Sequence, residues 1–97
     1  MLYPQLTRTA SGNQAIILQQ CSAQDFSELA AKWSAILGAR QGMVIIGPDQ
    51  SQCDILINGL PYWLAWDIWQ AAICLEPQDD DAAMVIPHLF STVMRSA

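Results

Sequence analysis

Charge is scarce in this chain. Only 13% of its 97 residues are charged, and the basic complement is Arg8, Lys32, Arg40 and Arg95. These four are scattered, which excludes the basic stripe that a nucleic-acid surface needs to neutralise phosphates. Histidine is limited to His88, so a cluster of histidine metal ligands has no second member, and the sequence shows neither the nucleophile nor the orienting acid that a catalytic histidine needs. The cysteines are Cys21, Cys53 and Cys74, an odd number without CxxC spacing. Reduced thiols acting as small core hydrophobes are expected from that pattern. Long apolar runs are also missing. The longest, Leu60 to Leu75, is broken by Asp67 and Gln70 and falls short of the ~20 residues of a membrane-spanning helix. The opening MLYPQLTRTA lacks the basic start and apolar centre of a secretory signal, so a cytoplasmic protein without a membrane partner is expected.

What the chain does have is apolar content. Hydrophobic residues make up 53% and the net charge is −5. That balance argues for a folded domain with a rather apolar surface, and the length for a single domain over residues 1–97, which the element order below makes α+β. A core of this size is thin, which favours self-association.

The stretch from Cys53 to Glu76 organises the rest. Asn58-Gly59 separates two apolar runs, and both residues tolerate the positive φ angles of a type I′ hairpin turn. A two-residue loop sets the register: Ile57 faces Leu60, Ile55 faces Tyr62 and Cys53 faces Leu64. All six lie on one side of the ribbon, because strand side chains alternate. A second turn at Asp67–Gln70 puts Trp66 opposite Ala71, Leu64 opposite Ile73 and Tyr62 opposite Leu75, on the same apolar face. Antiparallel strands over 53–57, 60–66 and 71–76 are therefore expected. The rival is a helix, since Tyr62, Trp66, Trp69 and Ile73 also make a helical stripe after Pro61. The Asn-Gly turn and the agreement of two registers favour the strands.

Around this centre, Tyr3–Thr9 and Ala15–Leu18 read as a hairpin turning at Ser11-Gly12-Asn13. Ser22 to Ala39 reads as a helix capped by Ser22, with Phe26, Leu29, Ala30, Trp33, Ile36 and Leu37 in one stripe. Met43-Val44-Ile45-Ile46 reads as a buried strand, followed by a turn at Gly47-Pro48-Asp49-Gln50. Asp79–Asp81 opens a last helix with the stripe Ala82, Val85, Ile86, Leu89, Phe90 and Val93, which Pro87 should kink. The order β-β-α-β-β-β-β-α predicts a largely antiparallel sheet with two helices packed on one face.

The run Asn58-Gly59, Leu64-x-Trp66-Asp67, then Ile73-Cys74-Leu75-Glu76 resembles a family of small uncharacterised bacterial proteins, which usually carry an aromatic where Cys74 stands. The resemblance covers roughly a quarter of the chain and implies no activity. The small, acidic α+β composition is also similar to type III secretion chaperones, a likeness that implies a dimer.

No catalytic residues, metal ligands or cofactor site emerge. Gly47 and Gly59 are turn glycines outside any phosphate-binding loop, and Asp79–Asp81 lacks the alternating ligands and distal Glu of a calcium loop. Asp67 and Glu76 have no third group to support acid–base work. His88 falls on the solvated side of the last helix. The best candidate is a surface made of Asp54, Leu56, Trp63, Trp69 and Cys74, on the sheet face opposite the core. Exposed tryptophan is enriched at interfaces, because it offers a large area with few rotamers to freeze. The expected function is a non-enzymatic interaction or regulatory module, with a protein partner or self-association through that face. The alternative is a small-ligand binder or enzyme with a pocket between the sheet and the kinked last helix.

Overall fold

A computed structural model of the chain describes residues 3–96. The elements run β1 (Gln5–Arg8), β2 (Gln14–Gln20), a 3-10 turn at Ala23–Asp25, α1 (Phe26–Leu37), β3 (Arg40–Ile46), β4 (Gln50–Ile57), β5 (Leu60–Asp67), β6 (Ala72–Pro77) and α2 (Asp80–Ser96). One six-stranded sheet has the spatial order β1-β2-β6-β5-β4-β3, with every neighbouring pair antiparallel. Both helices pack on one face of it, so the α+β class expected from the sequence is what forms.

The first turn holds to the residue. Asn58 and Gly59 take φ of 52° and 80°, and Ile57 pairs with Leu60, Ile55 with Tyr62 and Cys53 with Leu64. All but Leu60 are buried, and Leu60 packs at the margin of the core. The second turn has its expected length of four residues but lies one residue further along the chain. β5 continues through Asp67, and Ile68–Ala71 make the connection. The Asp67 side chain closes it by accepting the Gln70 N–H at 2.7 Å, and its carbonyl accepts the Ala71 N–H at 2.9 Å. Trp66 therefore pairs with Ile73, Leu64 with Leu75 and Tyr62 with Pro77. The register moves by two residues from the expected one. A slip of two keeps each side chain on its face, whereas a slip of one would have inverted the strand. The core face consequently survives the error.

The N-terminal hairpin joins the centre through β2 and β6. Ile16 pairs with Leu75, and a bulge between Ile17 and Gln19 changes the register. The bulge has a use. It brings Gln19 to the helix side, where its Oε1 accepts the Trp33 indole N–H at 3.2 Å. On the same side, the Trp66 indole N–H donates to the Cys21 carbonyl at 2.9 Å, and the Tyr62 hydroxyl donates to the Ala82 carbonyl at 2.9 Å. Each large polar-tipped aromatic of the core thus has a partner for its polar atom.

The helices follow their stripes. Phe26, Ala30, Trp33 and Leu37 of α1 are buried, as are Ala82, Ile86, Leu89 and Val93 of α2. Gly38 ends α1 at φ 65°, the left-handed conformation that glycine adopts without Cβ strain. Ser22 does not cap α1: its hydroxyl turns to the Asp25 carboxylate at 3.1 Å, and a 3-10 turn intervenes. Asp79 is the effective cap of α2, accepting the Ala82 N–H at 2.8 Å. α2 passes through Pro87 without ending. Pro87 lies on the exposed side, where water can serve the carbonyl that its missing N–H leaves free.

The largest departure from expectation is β3. Its apolar run reads as a buried strand, yet every residue of β3 is exposed. Met43 is 67% exposed, Val44 43%, Ile45 56% and Ile46 58%. The cause is position. β3 is the sheet's outermost strand beside β4, and the helices lie mainly over β2, β6, β5 and β4. An unbroken apolar run means that both faces of the strand are apolar. It does not say whether anything covers them.

Candidate functional site

The five residues expected to form a surface divide into separate places. Asp54 and Trp63 are cross-strand neighbours on the sheet face without helices, and both are half-buried. Leu56 is exposed on the same face, between Arg40 of β3 and Pro61 of β5. Trp69 is 92% exposed, but it sits in the β5–β6 connection. That is the opposite end of β5 from Pro61, roughly 20 Å away at strand rise. Cys74 is only 4% exposed and is therefore not a surface residue. Ile17 and Ala65 flank it on the adjacent strands, and its thiol donates to Gln70 Oε1 at 3.1 Å as that side chain folds over it.

Where Leu56 lies, a cleft opens toward the free edge. Its volume is about 310 Å³ and its lining includes Arg40, Met43, Asp54, Leu56 and Pro61. It lies at the bulge of β3 between Gln41 and Val44. Gly42 allows the bulge to close over β4: a Cβ there would stand 3.3 Å from the Asp54 carbonyl oxygen. One wall of the cleft is polar, since Gln78 Nε2 donates to the Tyr62 carbonyl at 2.8 Å and reaches Asp54 Oδ1 at 3.5 Å. Beyond the cleft runs the apolar segment Val44–Ile46. Opposite Cys53 and Ser51, Val44 and Ile46 point to the helix-bearing side, while Ile45, opposite Gln52, points to the other. The edge is thus apolar on both faces, with its outer backbone groups open to a further strand.

The exposure of Leu56 is legible in the sequence, and that of Met43–Ile46 is not. The available signal was the run itself, bounded by Gly42 and by Gly47-Pro48 and carrying no charge. Without the sheet order, that signal reads as burial.

Burial shifts several titratable groups elsewhere in the fold. Burial first, then the carboxylates of Glu76 and Asp67, push the Cys74 thiol up to about 12, so it is a protonated thiol at neutral pH and a poor nucleophile. Burial also raises Cys21 and, with Asp79 as the lesser cause, Tyr62. His88 is exposed on α2. Among the described residues no group of three His, Cys, Asp or Glu is placed to hold a metal ion, and no helix is long and apolar enough to cross a membrane. A larger cleft, about 480 Å³, lies between β2, α1 and the end of α2; its lining includes Lys32, Trp33 and Ser96 but not Pro87.

Glu76 is raised by burial and secondarily by Asp67. The folded chain therefore holds this proton at a pH where the unfolded chain has lost it. The group's contribution to stability is largest at low pH and falls as pH rises from the ordinary carboxylate range through the raised value. Glu76→Gln is expected to melt higher than the unmodified protein at neutral pH and to lose that advantage near about pH 4. Thermal unfolding across that range reads the difference. A lower melting temperature at neutral pH would show that the carboxylate makes a stabilising contact outweighing its burial.

No family model, curated protein or solved structure matches the chain.

Proposed function

We propose that this protein is a non-enzymatic interaction module that docks a protein partner along β3 and the cleft beside it. The observation that supports this reading is the run Met43–Ile46, four consecutive apolar residues exposed on a free sheet edge. Such an edge is a template for strand pairing, and soluble proteins ordinarily blunt it with charge, proline or a covering segment. Here charge is absent from Gln41 to Pro48. The reading keeps Leu56 and Asp54 of the face expected from sequence and shifts the centre of the site from Trp63 to the edge.

Ile45→Lys tests it. Ile45 is exposed, so the variant should stay within about 0.5 kcal/mol of the unmodified protein in a urea melt. Association should be lost, whether with itself in sedimentation or with a protein retained on the tagged chain from its native cell. A chain that binds nothing, or whose binding survives Ile45→Lys, would remove the basis for this reading.

A further inference from the structure

The edge strand β3 also constrains the identity of its occupant, provided that β3 is a docking edge as proposed above. We propose that the occupant is β3 of a second copy of this chain, paired antiparallel about a two-fold axis, so that two six-stranded sheets become one continuous sheet.

Three observations lead there. The first is the two-sided character of the edge. Val44 and Ile46 are exposed on the helix-bearing side, and Ile45 is exposed on the other. A helix or a flat surface laid against the protein would cover one side and leave the strand's outer N–H and C=O groups unpaired. A strand added in the plane satisfies those groups and brings side chains beside both faces.

The second is charge. Arg40 is the only charged residue of β3, and the next charge along the chain is Asp49, with none between them. Both are exposed. Antiparallel self-pairing brings the start of one strand to the end of the other, so Arg40 of each copy comes to the β3–β4 turn of its mate, which carries Asp49, twice per dimer. The strand is therefore complementary to its own reverse, as an isologous contact requires.

The third is the position of the bulge. The irregularity lies between Gln41 and Val44, which leaves Val44–Ile46 as the regular segment. Pairing centred on Ile45 uses that segment: Val44 faces Ile46 of the second copy, and the two Ile45 residues face each other. Arg40 then lies beyond Ile46 of the second copy, beside the turn 47–49 that carries Asp49.

The register makes the test specific. Directly opposed residues of an antiparallel pair have Cα atoms about 4.5–5.5 Å apart, within the range a disulfide spans. Ile45→Cys should therefore form a disulfide-linked dimer under mild oxidation. The unmodified chain, whose Cys53 and Cys74 are buried and whose Cys21 is half-buried, should not. By sedimentation, Arg40→Asp and Asp49→Arg should each weaken the dimer about tenfold, and the double variant should recover most of the loss. Circular dichroism on each variant checks that the fold is kept. A chain that stays monomeric throughout the sedimentation range overturns the proposal, as does a dimer with no Ile45→Cys cross-link and no recovery in the double variant. If a monomeric chain still retains a partner that Ile45→Lys releases, self-pairing is wrong and the docking reading stands. If it retains none, both fall.

Discussion

Trp33→Ala should cost about 3–5 kcal/mol, the usual loss when a large buried aromatic is truncated. Trp33 is the broadest side chain that α1 places against the sheet, and it is buried between neighbours that cannot all move inward. Its removal leaves a cavity and also takes the indole donor from Gln19. Gln19 keeps a longer contact with Lys32 Nζ at 3.4 Å, so its oxygen is not stranded and the cavity should dominate the loss. A domain of this size has roughly 5–15 kcal/mol in total, so the variant should melt much earlier in urea. Trp69→Ala is the control. With its ring almost wholly in solvent, its loss should lie within about 0.5 kcal/mol. Equal losses at the two positions would mean that the helix-bearing face is not where the core lies.

Tyr62 should divide into two parts. Tyr62→Ala is expected to cost about 3–5 kcal/mol, because Tyr62 is among the largest fully buried side chains and lies on an interior strand, between Ile55 of β4 and Pro77 of β6. Tyr62→Phe keeps the ring and removes only the hydroxyl, which donates to the Ala82 carbonyl in the first turn of α2. That change should cost about 0.5–1.5 kcal/mol, the net worth of an ordinary buried hydrogen bond. Urea melts of the pair separate packing from polar docking of α2. A loss for Tyr62→Phe as large as for Tyr62→Ala would place the weight on the hydroxyl and not on the ring.

How much of the fold was legible in the sequence depended on how local the cause was. The Asn58-Gly59 hairpin was readable to the residue, because a two-residue loop allows one register. The β5–β6 turn was readable only in its faces, because the Asp67 side chain, at the end of β5, accepts the Gln70 N–H and sets the turn one residue later than composition announces. The helices were visible as stripes, whereas the Ser22 cap was not realised, since its hydroxyl had an alternative partner three residues on. β3 was misread for a different reason. Whether an apolar strand is central or at an edge depends on the order β1-β2-β6-β5-β4-β3, and that order depends on pairing between β2 and β6, far apart in the chain. The candidate surface shared that weakness. Alternation placed Asp54, Leu56 and Trp63 on the correct face, but it could not show Gln70 folding over Cys74 or the open edge beside Leu56.

The β2–β6 junction has a consequence in time. The meander from β3 to β6 is built from neighbours in sequence, so its pairings close short loops. β2 pairs with β1 locally, but its other side waits for residues 72–77. On a growing chain, the N-terminal hairpin is therefore made early and finished late, and bringing Ile16 to Leu75 requires the longest closure in the sheet. The last pairing open to the sheet is thus the one that joins the first-made hairpin to the last-made strand.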